Sequence, residues 1–218
     1  MIDITPKKNR FSIGKTEAAH ILIAAVVMSV AFTLLFRSGS ITNYFRYHFG
    51  DMYFAGMFGV MFVIVVLSFI GHEFGHKFVA QMYGMWSEFR MYPFGLVLTL
   101  FSSFCGFLIA APGAVMIRGD HYSAKEDCNI SVAGPLVNII LSAVGLVGVM
   151  VFNSTVMLVP FYLLLTLNSS LALFNLIPVP PLDGSKIIGN NTPLWIACIA
   201  IAALEFGSRW LLPTLYWA

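Results

Sequence analysis

The sequence predicts an all-α polytopic membrane protein with about five full spans and one re-entrant or hairpin element, and three observations carry that prediction. Hydrophobic residues make up 59% of the 218-residue chain and charged residues only 10%, and the mean hydropathy is +0.85, well outside soluble-domain usage. Apolar runs of about twenty residues recur, enough to cross a hydrocarbon layer of roughly 30 Å at about 1.5 Å per helical residue. One further apolar interval is broken by proline and glycine and does not read as a simple crossing. No polar stretch is long enough for a soluble core of its own, so residues 1–218 are expected to form a single membrane-embedded domain. The formal charge of +2 arises from few charges of both signs and leaves no footprint for nucleic acid. Cys105, Cys128 and Cys198 stand far apart without a CxxC pair and read as small buried or lipid-facing groups.

The first span is read at residues 18–36, behind Lys7, Lys8, Arg10 and Lys15, and its nineteen residues exceed a usual signal-peptide core. His20, near its positive end, reads as an interfacial or structural histidine. A more polar linker covers residues 37–51. The second span starts near Met52 and can continue as one helix through His72 and His76 to about Met82, before Gly84 offers a stop. That is long for one crossing, and tilt or projection would bring the histidines near one membrane face. Residues 94–111 are apolar enough for another span but are broken or flanked by Pro93, Gly95, Gly106 and Pro112, and β-branched residues are too sparse to establish strands. Clearer spans follow at residues 130–152 and 156–177. A last one covers residues 193–212, where Glu205 and Arg209 have the i,i+4 spacing of a helix-surface pair.

Charge placement orders these spans. Basic residues before the first one favour a cytoplasmic amino terminus, so the second helix returns to the cytoplasmic side with His72 and His76 at its end. If residues 94–111 enter without crossing, Asp183 reaches the same side; a full crossing would place it opposite.

The chemistry is concentrated in His72-Glu73-Phe74-Gly75-His76. Histidines four residues apart stack on one helix face, where their nitrogens can converge on one metal ion, and Glu73 can lie beside a metal-bound water without completing the shell. Neutral imidazoles on zinc with a carboxylate to move the water proton is the arrangement of a metal-dependent hydrolase. Polar groups bordering an apolar span are costly unless partnered, which favours a functional reading of the trio. A third ligand is needed. Glu88, Asp120 and His121 are possible, and Asp183 is the better candidate, because the prolines and Gly184 of Pro180–Gly184 can turn an oxygen ligand back toward the bundle.

With HEFGH at residues 72–76, AGPLVN at 133–138 and FNLIPVPPLDG at 174–184, in that order, the chain resembles the site-2 protease family of intramembrane zinc metalloproteases, peptidase family M50. The resemblance implies His72, His76 and Asp183 as ligands of one Zn2+ per chain, Glu73 as catalytic base, and hydrolysis of peptide bonds in a transmembrane protein or peptide substrate. It also implies the non-crossing reading of residues 94–111, since family members place the aspartate on the side of the histidines. The expected location is the cell membrane, with the active site toward the cytoplasm.

In the middle motif, Ala133 and Gly134 permit close helix approach and Pro135 is expected early in a helix, where its missing donor is tolerated. Asn138 and Asn175 are amides in apolar sequence and need partners, either substrate backbone or a polar network. No added peptide-binding module is expected, and residues 85–119 are expected to line or cover the substrate path, either with an edge strand able to pair with an extended peptide or as a broken helical element, with which Pro93, Gly95 and Pro112 are equally compatible. Two other functions compete. A transporter or non-catalytic metal-binding membrane protein accounts for the buried polar groups but not for Glu73 beside the first histidine, and an inactive interaction protein is disfavoured by the intact set.

Overall fold

In the computed structural model the described residues are 12–37, 39–119, 123–152 and 154–216. Among the described residues, five helical stretches are long and apolar enough to cross a membrane: Lys15–Leu35, Ile41–Met82, Ala124–Val151, Val156–Asn175 and Thr192–Leu211. The first is helix α1, Lys15–Leu35. The polar linker proves helical, as α2, Ser40–Phe49, which buries Phe45 against a core that includes Met28, Met57 and Met61. A short amphipathic helix of this kind is hard to see in sequence because its apolar face is only a few residues wide.

Helix α3, Tyr53–Val65, runs through one π-helical turn at Val66–Ile70 into α4, Gly71–Met82. Such turns recur at functional sites. Gly84, at φ +77°, ends the run. Close packing of α4 on α6, Ala124–Val151, depends on Gly75, where a Cβ would sit 2.8 Å from the carbonyl oxygen of Ala133. Helix α6 starts well before its apolar run because Ser123 and Glu126 form a capping box: the Ser123 N–H donates to Glu126 Oε2 at 2.7 Å and the Glu126 N–H to Ser123 Oγ at 3.3 Å. Pro135 therefore lies in the helix interior, not near its start as expected.

The broken apolar interval folds as a hairpin. Strands β1, Trp86–Met91, and β2, Gly113–Arg118, pair antiparallel from Trp86 with Arg118 to Met91 with Gly113. Between them α5, Pro93–Phe104, has 12 residues, about 18 Å of helix and too short to cross. The chain thus goes in and comes back, leaving Trp86 and Arg118 side by side. Its irregular return leg, in apolar surroundings, needs internal partners for its backbone. Thr99 Oγ1 donates to Ile109 O at 2.9 Å, the Ile109 N–H donates to Ser102 Oγ at 3.0 Å, and the Tyr92 N–H donates to Pro112 O at 2.9 Å. Gly95 is required there, since a Cβ would collide with the Ala111 carbonyl.

Helices α7, Thr155–Asn175, and α9, Thr192–Tyr216, complete the bundle, joined by a turn with a cis Pro180–Pro181 bond and by α8, Asp183–Asn190. Glu205 and Arg209 do not pair. Glu205 is buried, while the Arg209 guanidinium lies 3.5 Å from the ring centroid of Phe206 and 5.2 Å from that of Trp210, because stacking on its neighbours keeps the cation in contact with polarisable surface.

Candidate active site

Helix α4 presents His72 and His76 one turn apart, and the turn into α8 brings Asp183 to them. The two Nε2 atoms are 3.0 Å apart, and Asp183 Oδ2 lies 3.4 Å from that of His72 and 3.3 Å from that of His76. The turn can reach this far because Gly184 lies against the Leu176 and Ile177 backbone, where a Cβ would clash, and because Trp195 Nε1 donates to Leu176 O at 2.7 Å.

The outer imidazole nitrogens fix what the inner ones can do. His72 Nδ1 is 2.7 Å from Asn138 Oδ1, and His76 Nδ1 is 2.7 Å from the Ile130 carbonyl. Asn138 is oriented by its own donors, which reach Ser68 O at 3.0 Å and Asn168 Oδ1 at 2.9 Å, while Asn168 Nδ2 donates to Ser68 Oγ at 2.8 Å. Both Nδ1 atoms therefore donate, and in neutral rings both Nε2 atoms turn lone pairs toward each other and toward a carboxylate. A cation at the centre would satisfy all three groups at once. The separations of 3.0–3.4 Å are close to the roughly 3.3 Å edge of a tetrahedron with ~2.0 Å metal–donor bonds. Gly134 leaves the necessary space, since a Cβ there would lie 2.7 Å from His72 Nε2 and against His76 Nε2. The residues present thus fit a metal ion held by two histidines and one carboxylate.

Glu73 lies outside this set of three donors, with its Oε2 accepting the N–H of Val115 on β2 at 2.8 Å. His72 and Glu73 line a cavity of about 670 Å³ that runs past Phe32 of α1, Leu167 and Asn175 of α7, and Arg209 of α9. Asn175 spends its amide on its own helix, on Leu171 O at 3.0 Å, and faces this cavity. Glu88 is paired with Arg90 at 2.8 Å on β1, and Asp120 and His121 fall outside the described residues. His20 sits on α1 with a buried Nδ1 that has no partner among the described residues. The three cysteines are free.

A family model described as peptidase family M50 matches residues 60–158, which take in α4 and all of α6. The protein of Methanocaldococcus jannaschii named "Putative zinc metalloprotease MJ0611" is 36% identical over 141 residues, which are 64% of this chain and 74% of that relative. The chain belongs to peptidase family M50. Other relatives are "Zinc metalloprotease MJ0392" of the same organism, 32% identical over 59% of this chain and 33% of its own length, and "Putative zinc metalloprotease YwhC" of Bacillus subtilis, 29% identical over 66% of this chain and 74% of its own. No solved structure matches significantly. This M50 chain is therefore a peptidase and, from its five span-length apolar helices, an integral membrane protein.

Sequence reasoning missed several members of the site. Asn168 and Ser68 carry the same signal as Asn138, a polar side chain in an apolar span, and could have been found by it. The Ile130 carbonyl and the Val115 N–H carry no sequence signal, because backbone groups exist at every residue. Gly134 was read as packing, whereas its missing side chain also opens the space between the histidines.

Proposed function

We propose that this M50 peptidase is a zinc-dependent intramembrane endopeptidase that cleaves membrane-embedded protein substrates, with one Zn2+ per chain held by His72, His76 and Asp183. The observation that carries the reading is the convergence of two imidazole nitrogens and one carboxylate oxygen in a buried cluster whose outer nitrogens are already committed, beside a carboxylate that lines the cavity. Zinc, when bound, supplies Lewis acidity toward a carbonyl or a water. Glu73 takes a proton from the attacking water as its oxygen bonds to the scissile carbonyl carbon, then returns it to the departing amine nitrogen as the C–N bond breaks. Asn138 and the Ile130 carbonyl keep the histidines in the ligating tautomer. A largely apolar cavity suits a transmembrane segment, which must unwind locally to offer its peptide bond. The site is assigned to the cytoplasmic side of the cell membrane on the basic residues preceding α1, and residues 1–218 to a single membrane-embedded domain.

The test is Glu73→Gln in purified protein, assayed on a panel of single-span proteins in vesicles with zinc measured in parallel. We expect one zinc per chain in both proteins and a loss of cleavage of about 10²–10⁴-fold in the variant. Equal cleavage by both would remove Glu73 as the base, and metal-dependent solute flux without cleavage would favour a transporter.

A further inference from the structure

A second buried ionic cluster lies one helical turn beyond the catalytic glutamate. Lys77, on α4, sends its Nζ to both carboxylate oxygens of Glu17 on α1, at 2.6 and 2.7 Å, and both side chains are 1% exposed. Glu17 Oε1 also accepts the Phe89 N–H of β1 at 2.9 Å. On the other edge of the same two-stranded sheet, the Val115 N–H of β2 donates to Glu73 Oε2 at 2.8 Å. Phe89 and Val115 are register partners. They form a pair without mutual hydrogen bonds, whose N–H groups point away from each other to the two outer edges of the sheet, and each is captured by a carboxylate.

The bonds close a ring: from α4 through Glu73 to β2, across the ladder to β1, through Glu17 on α1, and by Lys77 back to α4 four residues after Glu73. A sheet that slid relative to α4 would have to break a charge-assisted bond on one edge or the other. Stability alone does not account for such a pair, because replacing a buried ion pair by apolar residues of similar volume is often neutral or stabilising.

Resting on the proposed peptidase reading, we propose that Glu17 and Lys77 are positioning residues, which hold the sheet at the height where Val115 fixes the Glu73 carboxylate. They touch neither substrate nor metal. Their effect reaches the reaction through Phe89, Val115 and Glu73, so it falls on turnover and leaves metal binding and substrate affinity in place.

The test compares three variants with the wild type: Glu17→Met/Lys77→Met, which removes both charges; Glu17→Gln/Lys77→Met, which keeps an acceptor for the Phe89 N–H; and Glu17→Asp, which keeps the charge but withdraws the acceptor by one methylene. Zinc content, kcat and KM on a single-span substrate, and hydrogen exchange at the Phe89 and Val115 amides are measured for each. The double-methionine protein is expected to keep its zinc and KM, lose at least tenfold in kcat and exchange both amides faster, with the glutamine variant recovering most of both losses. Should the double-methionine protein fail to fold, Glu17→Asp is expected to show the same kcat loss at full zinc. Wild-type kcat and protection in the double-methionine and aspartate variants would overturn the proposal, as would losses that track zinc content. If the wild type cleaves no single-span substrate, the intramembrane reading fails, while the exchange measurement still reports whether the ring holds the sheet.

Discussion

At the scale of single residues, the site depends as much on what surrounds the donors as on the donors themselves. Asn138 has two jobs, accepting from His72 and donating to Ser68 and Asn168. Asn138→Leu keeps the volume but frees the imidazole to turn, and we expect metal affinity to fall about 10–100-fold, the usual cost of losing an outer partner of a ligating histidine; metal titration of the purified variant checks this. Gly134→Ala is the sharper case. Its methyl would occupy the space against both Nε2 atoms, so metal content should fall with little change in helicity by circular dichroism, and full metal content in that variant would refute the packing argument. The convergence of the histidines with Asp183, and Glu73 beside them, could be anticipated from sequence because the proposed chemistry restricts which residue types can serve it. Gly134 could not, because a glycine in a membrane helix ordinarily means close packing, and only coordinates reveal what it packs against.

At the scale of elements, the spans were legible and the hairpin was only half so. A long apolar run has few alternatives to a membrane helix, and the expected starts and stops lie within a few residues except in α6, whose capping box extends it upstream. Strand β1, Trp-Ser-Glu-Phe-Arg-Met, has no β-branched residue. Its strand conformation comes from the partner it pairs with and from the carboxylate that takes its Phe89 N–H, both remote in sequence. A topological consequence can be measured. Because β1 and β2 are adjacent and α5 is too short to cross, single cysteines at Gly84 and Asn129, introduced after replacing the exposed Cys105, should react with a membrane-impermeant maleimide from the same side. Labelling from opposite sides would mean that residues 94–111 cross, and would separate Asp183 from the histidines.

For the molecule as a whole, the proposed metal centre would join α4 to the start of α8, two elements that each pack on α6. Its donors come from α4 and from the start of α8, and α6 supplies the gap between them. Helix α9, which follows α8, is the least enclosed span: 17% of its apolar window is buried against 39–44% for the other four. The contacts that anchor this end include the Trp195–Leu176 hydrogen bond, the tight seat of Gly184 and the cluster of Ile187, Cys198 and Ala202 with α6 and α7. A bound cation at Asp183 would tie this end to α4. Ligand that binds only the folded state stabilises it by about 2.7 kcal/mol at one hundred times its Kd, so stripping the metal with a chelator should lower the unfolding temperature. Hydrogen exchange should rise first in residues 177–192, while α1 and the sheet, held by Glu17 and Lys77, keep their protection. The Asp183→Ala variant should start from the lowered temperature and no longer respond to chelator. Uniform loosening on metal removal would instead mean that the centre is a keystone for the entire bundle, and no loosening would mean that the turn holds α8 in place without it.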